Sequence, residues 1–187
     1  MMALLPITLI GDKILRHKTT RVTDVDMETV ELIKDMFDTL KNAHGIGLAA
    51  NQVGSDKAIF ILNLNGVEDY EKFKPTVIIN PEITFRSEEK VFMEEGCLSI
   101  PDIRLEVERP EKVILKYQDT ELKPCEIKAD SLLARVIQHE FDHLQGVFFT
   151  DLVEQEQKKR IRKPINRIRS RKIEVDYPVT EDSEYRL

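Results

Sequence analysis

The chain has 187 residues, 41% of them hydrophobic and 33% charged, with a formal net charge of −6. That balance is the ordinary one for a soluble globular protein, and a single domain over residues 1–187 can bury about 70% of its unfolded surface. Two cysteines, Cys97 and Cys125, exclude a disulfide framework, and with no signal peptide ahead of them a reducing cytoplasm is the default location.

The opening run MMALLPITLIG is apolar, but it lacks a basic leader, contains Pro6 and is far too short to span a bilayer. An early strand or extended segment is expected there, and no membrane partner. From Asp24 to His44 the residues Met27, Val30, Ile33, Phe37 and Leu40 recur at helical spacing, and Gly45 is positioned to stop that helix. Short β-branched runs bounded by turn formers follow at Lys57–Leu64, Thr76–Asn80, Arg104–Glu108 and Val113–Tyr117. They predict antiparallel strands. A second helix starts after Asp130, a good N-cap, and ends at Gly146, with Leu132, Val136, His139 and His143 on one stripe. A third helical segment runs from Asp151 and is interrupted by Pro164, and the closing VTEDSEYRL reads as a frayed tail. The predicted fold class is α+β: antiparallel strands around a central metal-binding helix, with a C-terminal helix within 151–187.

The central helix carries QHEFDHLQG, Gln138 to Gly146. At 3.6 residues per turn His139 and His143 fall on one face a turn apart, within reach of one metal ion, and Glu140 sits beside the position left open for a water. A third ligand must come from elsewhere. Phe149 stands where the metzincin extension of this motif has its last histidine, which excludes that class. A thermolysin-like site would take Glu154, Glu156 or Glu174, two of which lie in a very polar run and the third in the tail. His17 and His44 are isolated beside turn or terminal segments. Cys97, in MEEGCLSIP, is the better candidate, because a thiolate binds borderline and soft divalent metals and Gly96 lets the backbone come close. Upstream, GIGLAANQVG offers close backbone approach at Gly45, Gly47, Ala49 and Ala50, and the Gln52 amide is suited to donate to a developing oxyanion.

Taken together, Gly45 to Gln52, Glu95 to Ser99 and Gln138 to Gly146 resemble the three motifs of the peptide deformylases, in order and at comparable intervals, over roughly residues 5 to 155. The resemblance implies a metal-dependent hydrolase that removes the formyl group from the N-terminal formylmethionine of newly synthesised polypeptides and releases formate. It implies Cys97, His139 and His143 as metal ligands, Glu140 as the catalytic acid/base, and Gln52 with the backbone N–H of Leu98 as oxyanion donors. The metal would be Fe2+, which Zn2+, Ni2+ or Co2+ can replace. The substrate, an N-formylmethionyl nascent peptide, is expected against Gly45, Ile46, Gly47, Glu95 and Gly96. An apolar pocket for its methionine is expected from Ile46, Met93, Leu132 and Val136, the last two on the ligand face of the helix. Two residues depart from the family pattern: Asn51 stands where proline, serine or threonine is common, and Arg135 where many relatives have an apolar residue.

Charge is segregated along the chain. Asp151 to Lys172 holds nine basic and three acidic residues, a net of +6 against −6 for the whole, so the remainder carries −12. A basic C-terminal helix could dock on ribosomal RNA where the implied substrate emerges, while the plainer reading is a solvated helix paired with the acidic body. DNA is not an expected partner. The histidine motif alone also admits a zinc endopeptidase, or a binding module whose metal is closed by four protein ligands; no fourth ligand stands near the three motifs.

Overall fold

A computed structural model describes residues 4–181. The first helix, α1 (Met27–Asn42), opens on Asp26, whose Oδ1 accepts from the N–H of Thr29 at 2.8 Å. It buries Ile33, Met36 and Leu40, whereas Met27 and Val30 of the predicted stripe are 81% and 48% exposed. The first turn buries Thr29 instead, in line with Ile33, Met36 and Leu40, so the packed face is rotated away from the predicted stripe. The stop also differs from expectation. His44, at φ 53, takes the left-handed turn, and what Gly45 supplies is space, since a Cβ there would lie 2.6 Å from Leu40 Cδ1.

The strands are β1 (Gly47–Ala49), β2 (Ile59–Leu62), β3 (Thr76–Arg86), β4 (Lys90–Cys97), β5 (Ile100–Pro110), β6 (Lys112–Gln118) and β7 (Pro124–Asp130). All pair antiparallel, as predicted, in one sheet of order β1-β2-β3-β6-β7 and a separate β4-β5 ladder. β2 is apolar throughout because both of its faces are covered. Ile59 and Ile61 pack with Ile33, Met36 and Leu40 of α1, while Phe60 and Leu62 pack with Ala134, Val136 and Ile137 of the second helix, α2 (Ser131–Leu144). β3 runs past the predicted Asn80 because Pro81 falls in a register shift between Ile79 and Glu82, where no ladder bond is asked of its missing N–H. β1, β4 and β7 were not predicted; the first is short and lacks β-branching, and the other two alternate with charged residues on an exposed face.

The predicted limits of α2 hold. Asp130 is its N-cap, though its side chain makes no cap hydrogen bond, and beyond the helix Gly146 turns at φ +74 with Arg16 O so near that a Cβ would lie 2.4 Å from it. α2 is the central helix. One face meets the large sheet, and the other meets the β4-β5 hairpin, where Arg135 donates to the carbonyls of Val107 and Val91, both at 2.7 Å.

A second apolar cluster joins Ile100, Ile103 and Val107 of β5 to Phe148, Phe149 and the last helix, α3 (Gln155–Arg169), through Ile165 and Ile168. Contrary to expectation, α3 runs through Pro164 without interruption. The carbonyl that proline leaves unpaired belongs to Arg160, an exposed position where water can serve it, and the buried isoleucines lie beyond the ring. The predicted frayed tail is corrected in part: Thr180 N donates to Ile7 O at 3.0 Å and Val179 bridges to Ile7, while residues 182–187 lie outside the described residues. The expected extended N-terminal segment is present from Leu4, and residues 1–3 lie outside the described ones. Among the described residues no helix is long and apolar enough to cross a membrane.

Candidate active site

Cys97 is the last residue of β4, and α2 turns His139, Glu140 and His143 towards it. One ligand atom from each of Cys97, His139 and His143 lies within 4.8 Å of the others, and His143 Nε2 is 3.2 Å from Cys97 Sγ. Among the described residues no other group of three such side chains is so disposed, and Glu154, Glu156 and Glu174 stand outside it. A sulfur and two imidazole nitrogens around one point suit a divalent transition metal of borderline softness. His139 Nδ1 is engaged by Glu95 Oε2 at 2.8 Å, which leaves Nε2 for the cluster. Glu140 Oε2 is buried there with no hydrogen-bond partner.

The charged groups that hold Glu95 behind His139, Arg109 and Arg135, went unread in the sequence. Glu95 receives Arg109 Nε at 2.6 Å, Arg109 Nη2 at 3.0 Å and Arg135 Nη1 at 2.8 Å, and Arg109 Nη1 reaches Asp142 at 2.6 Å. Glu95, expected against substrate, lines the cleft, and its carboxylate is taken up by two guanidinium groups and a histidine, a geometry for orienting that histidine. Arg109 had a signal. It continues the inward series Ile103, Leu105, Val107 along β5, so alternation alone puts a charge inside. Arg135, a departure from the family pattern, is buried as the second cation on Glu95. Asn51, the other departure, is fully buried and donates through Nδ2 to His143 O at 2.6 Å, tying down the end of α2.

The two carboxylates titrate in opposite senses. Burial acts to raise Glu95, but the hydrogen bonds from His139 and Arg109 prevail and hold it well below the usual carboxylate range. Glu140 is pushed up to about 7 by burial, with the Glu95 charge adding to the shift and His139 and Arg109 opposing it. Burial alone would lower His139, yet the Cys97 and Glu95 hydrogen bonds raise it well above its ordinary value; burial, then the His139 charge, lowers His143.

Gln52 is held in the 3-10 turn after β1. Its Oε1 accepts from Ala49 N at 2.8 Å, which aims Nε2 at Cys97 Sγ, 3.5 Å away, and at Ser99 Oγ, 3.2 Å away. Gly47 passes so close to the acid that a Cβ would lie 2.5 Å from Glu140 Oε1. A cleft of about 840 Å3 is lined by Gly45, Ile46, Gly47, Gln52, Gly96, Leu98, Leu132 and Val136 together with Cys97, His139 and Glu140. Met93 is not on it; four positions back along β4, it lies about 13 Å from the cysteine. Phe149, in the place of a third histidine, packs its ring 5.9 Å from that of His139. The cleft also takes a wall from the far end of the chain, where the Tyr177 hydroxyl donates to Leu98 O at 2.9 Å. Burial raises the Tyr177 phenol well above its ordinary range, so it stays a donor.

The chain matches the polypeptide deformylase family over residues 4–159. It is 43% identical over 189 aligned residues to a peptide deformylase of Salinibacter ruber, covering 97% of each chain. Among solved structures, it resembles a peptide deformylase from Ehrlichia chaffeensis with a TM-score of 0.81 at 36% identity, over 91% of this chain and 100% of that one. A peptide deformylase from Synechococcus elongatus in complex with actinonin gives 0.77 at 42% identity, over 86% and 85% of the two chains.

Proposed function

Since the chain belongs to the polypeptide deformylase family, we infer that it removes the formyl group from the N-terminal formylmethionine of new polypeptides, with Cys97, His139 and His143 holding a divalent metal. The observation that carries the ligand assignment is the approach of the three ligand atoms to within 4.8 Å of one another, beside a buried Glu140. A metal so held supplies the Lewis acidity that activates water and polarises the formyl carbonyl.

The remaining steps belong to side chains and backbone. Glu140, raised to about 7, is suited to take a proton from the attacking water and deliver it to the departing amine nitrogen. Gln52 Nε2 and the Leu98 N–H are the donors for the carbonyl oxygen as its charge grows; loss of one such donor typically costs about 100- to 1000-fold in turnover. The peptide lies against Gly45, Gly47 and Gly96, and the methionine side chain against Ile46, Leu132 and Val136. Ferrous iron is the metal in this reading, with zinc, nickel or cobalt able to replace it, because a thiolate ligand moderates Lewis acidity and makes a more reactive ion useful. The enzyme works in the cytoplasm, as one catalytic unit whose C-terminal segment walls the cleft. An endopeptidase reading lacks support, since Glu154 and Glu156 are exposed at the start of α3 and Glu174, though it lines the cleft, is outside the clustered ligand atoms.

Freshly purified protein handled without oxygen should release formate from formyl-Met-Ala peptides. Internal cleavage of unformylated peptides without formate would give the site to a peptidase instead.

We also assign α3 a ribosomal contact. Lys159, Arg160, Arg162 and Lys163 are exposed and, among the described residues, none joins the acidic body in a salt bridge, which favours RNA phosphates as their partner. Glutamate at Lys159, Arg160 and Lys163 should abolish co-sedimentation with ribosomes and spare turnover of short formyl peptides. Unchanged co-sedimentation at matched salt would remove the ribosome from this reading.

A further inference from the structure

Beyond α3, and beyond the stretch matched by the family, the chain returns to the cleft as an extended strap. Ile173, Val175, Tyr177 and Val179 are half-buried while the residues between them are exposed, the period-two pattern of a strand laid on a surface. Both ends are fastened to one buried carboxylate. Arg171 Nη2 donates to Asp12 Oδ1 at 2.5 Å and Thr180 Oγ1 to Asp12 Oδ2 at 2.8 Å, and Ile7 N adds a bond to Pro178 O at 2.9 Å. Between these fastenings, Glu174 to Tyr177 form part of the cleft wall.

Tyr177 meets the turn that follows Cys97. That turn has two central residues, Leu98 and Ser99, since Cys97 pairs with Ile100 across it. Turns of this size have alternative forms that differ by rotation of the peptide between the central residues. That peptide carries Leu98 O and Ser99 N–H; one bond holds it directly and two hold Ser99 beyond it. Ser99 O accepts from Ile10 N at 2.9 Å, Ser99 Oγ accepts from Gln52 Nε2 at 3.2 Å, and Leu98 O accepts from the Tyr177 hydroxyl at 2.9 Å. The Tyr177 bond is the one of the three on that peptide; the Leu98 N–H lies on the peptide before it, so Tyr177 acts on that N–H only by fixing the conformation of Leu98 between the two.

We propose that Tyr177 is a positioning residue for deformylation: by holding the Leu98 carbonyl it fixes the turn that presents the Leu98 N–H to the developing oxyanion. The inference rests on the reading of Leu98 as an oxyanion donor given above. An interaction that matters only as charge develops should act on kcat and leave substrate affinity alone.

The test is Tyr177→Phe, which keeps the ring packing and removes the hydroxyl. Steady-state kinetics on a formyl-Met peptide are read beside metal content, melting temperature and amide hydrogen exchange over Gly96 to Ile100. The expected result is a fall in kcat of about five- to tenfold, the scale of one neutral hydrogen bond, with KM within about twofold. Metal content and melting should match wild type, and Leu98 and Ser99 should exchange faster. Unchanged kcat overturns the proposal, as does a fall in kcat accompanied by metal loss or a lowered melting temperature, which would make the contact scaffolding. A rise in KM at constant kcat also overturns it, leaving the strap as a wall only. An inactive wild type would overturn the functional reading itself, whereas an active wild type with any of these three outcomes overturns the role of Tyr177 alone.

Discussion

At Gly47 a hydrogen in place of a methyl group decides where the Glu140 carboxylate can sit. A Cβ would come within 2.5 Å of Oε1 and 2.9 Å of Cδ, so Gly47→Ala must displace the carboxyl group. Because the atoms displaced belong to a side chain, the fold should survive with little change in melting temperature, while formate release falls about 100-fold, the scale of a 1 Å misplacement. Wild-type turnover in that variant would mean that the position of Glu140 is not critical. The two cysteines separate in the same way. Cys97→Ala should lose bound metal and activity together, whereas Cys125→Ala should keep both, since Cys125 sits on β7 opposite Tyr117, away from the cleft. Metal analysis beside turnover decides this, and equal losses would argue for a structural effect. At this scale the sequence was readable where the clustered residues are local: His139, Glu140 and His143 share one helical turn, and Cys97 and Gln52 lie in short glycine-bearing stretches. Arg109, Arg135 and Asp142 were not read as a brace because a guanidinium on a strand or helix looks solvated until the register shows it facing inward.

Among the elements, helices whose periodicity is dictated by burial were legible to within a few residues, as α2 shows, and so were strands with both faces covered, such as β2. β4 and β7 escaped because their exposed faces carry charge at alternate positions, and α3 was mistaken at Pro164 because its solvent side tolerates a missing bond. The segment after α2 carries its own electrostatic dependence. Arg16 reaches Asp151 Oδ2 at 2.5 Å, donates to Gly146 O at 3.1 Å and lies 4.1 Å from the centre of the Phe148 ring. Burial acts to raise Asp151, but hydrogen bonds from Arg16 and Phe148 N prevail and lower it below 3.8. A carboxyl depressed on folding stabilises above its unfolded value and loses that contribution as pH falls through the folded one. The difference in melting temperature between wild type and Asp151→Asn should therefore be full near neutrality and shrink as pH drops below 3.8. With both partners well exposed it should also be small and weakened by salt. A difference that grows on acidification would contradict the assignment.

For the molecule as a whole, the site exists only where three distant stretches meet. The hairpin brings Cys97, the central helix brings two histidines and an acid, and the turn after β1 brings Gln52; the strap then closes a side that no motif announced. The strap was illegible because its residues form a short alternating run in a segment dominated by charge, and its anchor, Asp12, lies at the other end of the sequence. In the proposed reaction Glu140 moves protons at a metal centre it does not itself hold. The most direct test is formate release by Glu140→Gln carrying the same metal content as wild type. The variant should retain the metal and the fold, and turn over roughly 100- to 10,000-fold more slowly. A fully metal-loaded Glu140→Gln protein that deformylates at the wild-type rate would contradict the account.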